Sequence, residues 1–157
     1  MIRPDLNYEY ICFSYDLERV INWLENRSYF CIDTETSSLS PFTGKVILLQ
    51  VGNLEKQWLI DTRAVNIEPL RPFLVGSDKL KLGHHIKFDH KMLKTNFNME
   101  MSKIACTGIT EQIIRAGLYP KHGLEDLTKH YLGFDIDKDE NLPALFPKFL
   151  VTYQGPI

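Results

Sequence analysis

The chain has 157 residues, of which 44% are hydrophobic and 24% are charged. This composition is typical of a globular protein with a buried core, and it argues against a disordered tail. The formal net charge is −2, so the chain lacks the basic footprint that marks many nucleic-acid-binding proteins. That lack is weak evidence, because a cluster of metal-binding carboxylates adds negative charge of its own.

The cysteines and the N-terminal segment bear on the cellular compartment. Cys12, Cys31 and Cys106 are widely spaced among apolar residues, which predicts reduced, buried thiols in an intracellular protein. Residues 1–10 mix charged and apolar side chains and lack the core of a signal peptide. The longest apolar run, Val46–Leu49, is far too short to span a membrane. We therefore expect a cytoplasmic protein without a membrane segment.

The first half of the chain predicts one helix and then three strands. Residues 16–25 carry apolar side chains at helical spacing, with Ser14 as the N-cap. Strands are expected at residues 29–32, 45–51 and 57–61. Their short turn-forming connections predict an antiparallel meander. The first two strands are apolar throughout, which favours a sheet covered on both faces.

The second half of the chain predicts further helices and one strand. Helices are expected at 67–75, 88–96, 109–116 and 123–132, and a strand at 79–83. Gly117 and Gly133 follow two of these helices and suit the left-handed conformation that ends a helix. The order predicts a single α/β domain over residues 1–157. Its mixed sheet has three antiparallel strands followed by parallel strands and is flanked by helices.

Asp33 and Glu35 stand two residues apart at the end of the most apolar strand. Residues i and i+2 of a strand point to the same face, so these two carboxylates are expected to project together. A hard divalent cation such as Mg²⁺ or Mn²⁺ would remove their mutual repulsion. Asp-x-Glu pairs are also common on solvated surfaces, so the pair alone leaves both interpretations open.

A third carboxylate, Asp89, ends the segment Gly-His-His-Ile-Lys-Phe-Asp over residues 83–89. This segment predicts the end of a strand and the start of a helix, where a dipole-favoured Asp is an ordinary finding. Phe88, Met92 and Leu93 are expected to point into the core. Along the chain, a strand that ends in Asp-x-Glu is followed by two further strands and then by a strand that leads through Lys-Phe-Asp into a helix. This order is more specific than either segment alone.

These segments resemble the DEDD superfamily of 3′-5′ exonucleases, in the branch of ribonuclease D and the proofreading domains of bacterial family A polymerases. Asp33-Thr34-Glu35-Thr36 is similar to the first motif, and residues 83–89 with Leu93 are similar to the second. Residues 106–117 and 122–133 resemble the helical region before the third motif. The resemblance covers residues 14–138 and implies a ribonuclease H-like fold.

The resemblance implies hydrolysis of the terminal phosphodiester bond at the 3′ end of single-stranded DNA or RNA, with release of nucleoside monophosphates. Asp33, Glu35 and Asp89 would be catalytic and would hold two ions of Mg²⁺ or Mn²⁺. The residues implied in substrate binding are Thr34, Thr36, His85 and Lys87. His85 stands where the family usually has Asn, and a solvated lysine is an equally good interpretation of Lys87.

The resemblance fades before the third motif, which would supply a fourth carboxylate. Tyr153 is followed by Ile157 where the motif would have Asp. A solvated loop is the favoured interpretation of the acidic residues Asp135, Asp137, Asp139 and Glu140. A zinc site is not favoured, because its candidate ligands fit no standard spacing. These candidates are His84, His85, His90 and Cys106.

Three interpretations of the absent third motif stay open. In the first, the chain is an active enzyme whose C-terminal part is truncated or divergent after about residue 138. In the second, a polymerase or a second subunit supplies the fourth carboxylate. Alternatively, the chain is a catalytically impaired module that binds nucleic acid or acts as a scaffold.

Overall fold

The computed structural model describes residues 7–76, 78–116, 118, 121–133 and 135. The chain forms two compact units, residues 1–122 and residues 123–157, and its organisation as a single domain stays a prediction. Among the described residues, no helix combines the length and the apolar character needed to cross a bilayer.

The first unit is built on a six-stranded sheet with the order β1-β4-β3-β2-β5-β6. The strands are β1 (Tyr8–Ile11), β2 (Tyr29–Thr36), β3 (Val46–Gly52), β4 (Gln57–Asp61), β5 (Leu80–Gly83) and β6 (Ile104–Cys106). The antiparallel pairing of β2, β3 and β4 confirms the predicted meander. The pairs β1–β4, β2–β5 and β5–β6 are parallel, so the predicted mixed sheet is confirmed.

The two strands that the sequence did not predict, β1 and β6, lie at the two edges of the sheet. β6 has only three residues, which is too short for a periodic pattern to be recognised. In β1, which has the sequence Tyr-Glu-Tyr-Ile, only the last residue is buried. An edge strand with exposed side chains carries little of the hydrophobic signal from which strands are predicted.

Five α helices fall within the described ranges. They are α1 (Leu17–Glu25), α2 (Arg71–Leu74), α3 (Lys87–Phe97), α4 (Thr107–Arg115) and α5 (Leu124–Leu132). α1 buries Leu17, Val20 and Leu24, as its spacing predicted. The prediction that Ser14 caps α1 was wrong, because a 3-10 helix over Ser14–Asp16 precedes it. Ser14 therefore lies two residues before the N-cap position.

Two other helix predictions differ in detail from the structure. The helix predicted at 67–75 is a 3-10 helix over Glu68–Leu70 followed by α2, and each begins with a proline in its first turn. Proline lacks the N–H that would continue a preceding helix. At the end of α4 the left-handed residue is Ala116, with φ of 48°. It was predicted to be Gly117, which lies outside the described residues.

β2 is buried on one face and exposed on the other, so the prediction that its apolar residues are covered on both faces was wrong for this strand. It was right for β3, which has no exposed residue on either face. Phe30 and Ile32 are buried, whereas Tyr29, Cys31 and Asp33 are exposed. Tyrosine and cysteine count as apolar in a sequence pattern but tolerate water at their polar atoms.

The cysteine prediction also needs correction. All three cysteines are free thiols, but Cys31 is exposed, Cys12 is half-buried and Cys106 is the buried one. Cys31 is exposed because it lies on the uncovered face of β2. The spacing of cysteines among apolar residues does not reveal which face of a strand each occupies.

In the second unit, α5 has a defined start and end. The Asp126 carboxylate accepts a hydrogen bond from the Gly123 N–H at 3.2 Å, which satisfies a free donor at the helix start. Gly133, with φ of 73°, ends α5 as predicted. Three of its apolar side chains are exposed, namely Leu124, Tyr131 and Leu132.

Candidate active site

Asp33 and Glu35 lie on the stretch of β2 that extends past its neighbour β5. β5 pairs with β2 only over Tyr29–Cys31, whereas the antiparallel pairing with β3 continues to Thr36. Because residues alternate along a strand, Asp33 and Glu35 share one face and Thr34 points to the other. Beyond Cys31, the edge of β2 that faced β5 is therefore open to groups from other elements.

Asp89 fills this open edge from the first turn of α3. The Thr34 N–H donates a hydrogen bond to Asp89 Oδ1 at 2.9 Å, and the Thr34 hydroxyl donates to the same oxygen at 2.6 Å. Asp89 is only 3% exposed. The carboxylate thus takes the place of a strand partner for the Thr34 amide.

The three carboxyl groups are electrostatically coupled. Burial, followed by the charge of Asp89 and then that of Glu35, raises the pKa of Asp33 to about 7. Burial and the charge of Asp89 raise the pKa of Glu35. Burial also raises the pKa of Asp89, against the hydrogen bonds from Thr34. Asp33 is solvent-exposed as well, so water offsets part of its desolvation.

The donor chemistry fits a hard divalent cation. Within the described residues, no group of three or more His, Cys, Asp or Glu side chains is arranged to hold a metal ion. Charge coupling acts over longer distances than coordination, which requires oxygens at about 2.1 Å from Mg²⁺. Asp33, Glu35 and Asp89 therefore supply oxygen donors and negative charge. To coordinate the same metal ion, their side chains would have to move closer together.

The four residues implied in substrate binding lie in different surroundings. Thr34 is 7% exposed, and its hydroxyl is engaged inside the site. The Thr36 hydroxyl donates to the Ser38 carbonyl at 3.0 Å. Lys87 is exposed at the start of α3, and His85 is exposed in the preceding loop. Of these four residues, Lys87 and His85 are thus the two that are exposed to solvent.

A cleft of about 450 Å³ opens beside the first turn of α3. It is lined by Leu39, Pro41, His85, Lys87, Phe88, Lys91, Cys106 and Ile109. Met92 and Leu93 are buried as predicted, but Phe88, predicted to lie with them in the core, is half-buried and lines the cleft. Aromatic and apolar surface next to cationic side chains suits a nucleotide, whose base stacks while its phosphate meets positive charge.

Leu39, Lys91 and Ile109 were not singled out from the sequence. Leu39 is 85% exposed, and a single exposed apolar side chain is no signal in a sequence; only its place beside Phe88 and Ile109 in the cleft makes it part of a continuous apolar surface. Gly44 shapes the loop that carries Leu39, because a Cβ there would lie 2.5 Å from the Ser38 carbonyl oxygen.

The loop before α3 has an unusual backbone at His85, where φ is 54°. Asn, Asp and His adopt this left-handed region more readily than other residues with a Cβ. His85 can therefore adopt the same left-handed backbone conformation as the Asn that is usual at this motif position. The neighbouring His84 ring nitrogen Nδ1 lies 2.9 Å from Thr107 Oγ1, which joins the loop to the start of α4.

Residues 8–143 match the model of a protein family described as 3′-5′ exonuclease. The chain belongs to this family. Among the relatives found by sequence is DNA polymerase I of Aquifex aeolicus, which is 30% identical to this chain over 134 residues. The match covers 85% of this exonuclease-family chain and 21% of the polymerase, so the chain spans about a fifth of that relative's length.

Solved structures of other proteins share this fold. Escherichia coli RNase D, an exoribonuclease involved in structured RNA processing, gives a TM-score of 0.76 at 21% identity. The match covers 87% of this chain and 36% of RNase D. Brucella melitensis NrnC with bound Mg²⁺ gives 0.64 at 18% identity, covering 86% of this chain and 64% of NrnC. The predicted ribonuclease H-like exonuclease fold is thus confirmed.

The acidic residues considered as a fourth carboxylate fall largely outside the described part of the chain. Asp135 is exposed, and its carboxylate lies 2.8 Å from Lys129 Nζ, in agreement with the solvated loop predicted there. Outside the described residues are Asp137, Asp139, Glu140, Tyr153 and Ile157.

Proposed function

We propose that this chain is a metal-dependent 3′-5′ exonuclease, which hydrolyses the terminal phosphodiester bond of a single-stranded nucleic acid and releases nucleoside monophosphates. One observation carries the proposal: hydrogen bonds from Thr34 hold the Asp89 carboxylate of α3 against β2, the strand that carries Asp33 and Glu35. Membership of the 3′-5′ exonuclease family supports the same reaction class.

In this proposal, Asp33, Glu35 and Asp89 hold two ions of Mg²⁺ or Mn²⁺. When bound, such ions lower the pKa of water and stabilise the charge that develops on the phosphate. The three carboxylates favour cation binding because it relieves their mutual repulsion. The fold relative NrnC was solved with bound Mg²⁺, which supports the choice of ion.

The cleft beside α3 is proposed to receive the 3′-terminal part of the strand. Leu39 and Phe88 offer apolar surface to a base, while Lys87 and Lys91 place positive charge for phosphate oxygens. His85 lines the same cleft and supplies ring nitrogens for hydrogen bonds. These contacts involve base faces and backbone phosphates, which DNA and RNA share, so the proposed substrate is a single strand of DNA or RNA.

An associated polymerase or a second subunit is the proposed protein partner. The cytoplasm is the proposed location, on the composition of the sequence alone.

The second candidate function is nucleic-acid binding or scaffolding without cleavage. It is favoured by one observation, that the described residues hold no group of three side chains arranged to bind a metal.

The deciding experiment follows release of label from 3′-labelled single-stranded DNA and RNA, with Mg²⁺, with Mn²⁺ and with chelator. Asp89→Asn removes a proposed ligand, and Asp135→Asn is the matched control because its exposed carboxyl pairs with Lys129 and belongs to none of the elements that carry Asp33, Glu35 and Asp89. We expect metal-dependent release of mononucleotides, reduced at least about 100-fold in Asp89→Asn and unchanged in Asp135→Asn.

If wild type and Asp89→Asn are equally inactive, the catalytic proposal for this chain fails. Fluorescence anisotropy with the same strands then tests the second candidate. Binding without release of nucleotides would establish nucleic-acid binding without cleavage, and absence of binding would exclude both the exonuclease and the nucleic-acid-binding function.

A further inference from the structure

We propose that Thr34 is a positioning residue, which orients the Asp89 carboxylate for metal binding and does not contact the substrate. This inference rests on the proposed function and adds a residue that acts through Asp89. It replaces the substrate-binding role that the sequence motif implies for Thr34.

Thr34 holds Asp89 through two donors on one residue. Its N–H at 2.9 Å and its hydroxyl at 2.6 Å both donate to Asp89 Oδ1. The two residues are 7% and 3% exposed, so water competes little for these bonds. Hydrogen bonds from neutral donors to a carboxylate are short and strong, and burial increases their electrostatic strength.

The alternation of side chains along β2 directs Thr34 to a different face from its neighbours Asp33 and Glu35. Asp33 and Glu35 are on one face, and Thr34 is on the buried face between them. The only hydroxyl proton of Thr34 is used on Asp89, so the side chain has no donor left for a nucleotide. The Asp-Thr-Glu triplet thus supplies two carboxylates and the group that fixes the third.

The position of the two bonds also determines which oxygen is available. Because both donors reach Oδ1 of Asp89, that oxygen is fixed and Oδ2 is the one that can turn towards an ion. Without the hydroxyl, the N–H bond alone allows the carboxyl group to rotate. Loss of such supporting hydrogen bonds typically lowers metal affinity about 10–100-fold.

The test compares Thr34→Val, which keeps the branched shape but removes the hydroxyl, with Thr34→Ser, which keeps the hydroxyl. Mn²⁺ affinity is measured by electron paramagnetic resonance on the full chain. We expect about 10–100-fold weaker binding in Thr34→Val and near wild-type binding in Thr34→Ser. In an Asp89→Asn background, Thr34→Val should cause no further loss, because its effect passes through Asp89.

The proposal is overturned if Thr34→Val binds Mn²⁺ as wild type does while KM for the nucleic acid rises, since that pattern marks a substrate contact. Should Thr34→Val not fold, Thr34→Ala removes the same hydroxyl and is judged by the same criteria.

A second readout needs neither metal nor activity. Three-bond couplings of the Asp89 side chain, measured by NMR in metal-free protein, report whether it occupies one rotamer. One rotamer in wild type and averaging in Thr34→Val supports the positioning role even if wild type binds no Mn²⁺, in which case only the proposed function fails. An unchanged Asp89 rotamer in Thr34→Val overturns the inference.

Discussion

After burial, the charge of Asp89 is the strongest influence that raises the pKa of Asp33, although the two residues come from different elements, α3 and β2. Its effect exceeds that of Glu35, which lies on the same strand as Asp33. The repulsion at this site is therefore created mainly by the fold, which brings α3 against the open edge of β2. It gives the metal-free protein a pH dependence that can be measured.

The first prediction is that Asp33 destabilises the metal-free protein as pH rises. Its pKa is about 7 in the folded chain against 3.8 as the ordinary value. Between those values the folded state holds more protons than the unfolded state, so the free energy of unfolding falls as pH increases. One group contributes a slope of at most about 1.4 kcal/mol per pH unit, and less here because Asp33 is exposed.

Urea unfolding between pH 4 and 7 in the presence of chelator measures this effect. Asp33→Asn should become more stable relative to wild type as pH rises, and added Mg²⁺ should reduce the difference by stabilising wild type. Asp135→Asn, which removes an exposed carboxyl that pairs with Lys129, is the control. A constant difference between Asp33→Asn and wild type across this range would contradict the raised pKa.

The second prediction concerns the left-handed backbone at His85, where φ is 54°. His85→Asn should leave the free energy of unfolding unchanged or slightly higher, because Asn adopts this region readily. His85→Val should lower it by about 1–2 kcal/mol, since a β-branched side chain is strained there. Chemical denaturation of both variants measures the difference, and equal stability of the two would show that the backbone is not the constraint.

The sequence predicted the elements that carry the candidate site residues better than the contacts between these residues. Asp33 and Glu35 were placed on one face by the period of a strand, and Asp89 was found through its motif. The hydrogen bonds between Thr34 and Asp89 were not predictable, because they depend on where β5 stops pairing with β2. That point is set by tertiary packing and leaves no trace in the local pattern.

The same limit explains the errors in burial. The apolar run over Tyr29–Ile32 predicted a strand correctly but not the exposure of one of its faces. Whether a face is covered depends on which helices pack against it, and this is decided by residues far along the chain. Helices with strong spacing, such as α1, were predicted well because one buried stripe determines their pattern.

The third prediction concerns Tyr10, which joins β1 to β4. Its hydroxyl donates to Asp61 Oδ2 at 2.6 Å, and Arg63 Nε donates to Asp61 Oδ1 at 2.8 Å. Burial raises the pKa of Asp61, but the hydrogen bonds from Arg63 and Tyr10 outweigh it and leave the pKa lowered. The stability that Asp61 contributes is therefore present above its ordinary pKa of 3.8 and is lost as pH falls through the lower folded pKa.

Tyr10→Phe removes one of these bonds and should lower the free energy of unfolding at pH 7 by about 1 kcal/mol. It should also move acid unfolding to a higher pH, because the pKa of Asp61 is then less depressed. Tyr8→Phe, on the same strand and 60% exposed, is the control and should match wild type. Identical acid unfolding of Tyr10→Phe and Tyr8→Phe would exclude a role for the Tyr10 hydroxyl.

The fourth prediction concerns Gly44, whose loop carries Leu39 and Pro41 into the cleft. An added Cβ would lie 2.5 Å from the Ser38 carbonyl oxygen and 2.7 Å from that of Ser40, so the backbone of the loop must move. Gly44→Ala should cost about 1–3 kcal/mol of stability. It should also weaken binding of a single-stranded oligonucleotide while Mn²⁺ affinity is retained, because the carboxylates lie on β2 and α3 and not on this loop.

Gly76→Ala is the matched control, since a Cβ there meets nothing within 4 Å. Unfolding curves, anisotropy with a labelled strand and Mn²⁺ titration are compared for the two variants. If Gly44→Ala weakened Mn²⁺ and the strand equally, the loop would be part of the metal site itself. If it weakened neither, the loop would not form the wall of the cleft in solution, and the side of the cleft formed by α3 and α4 would alone bind the strand.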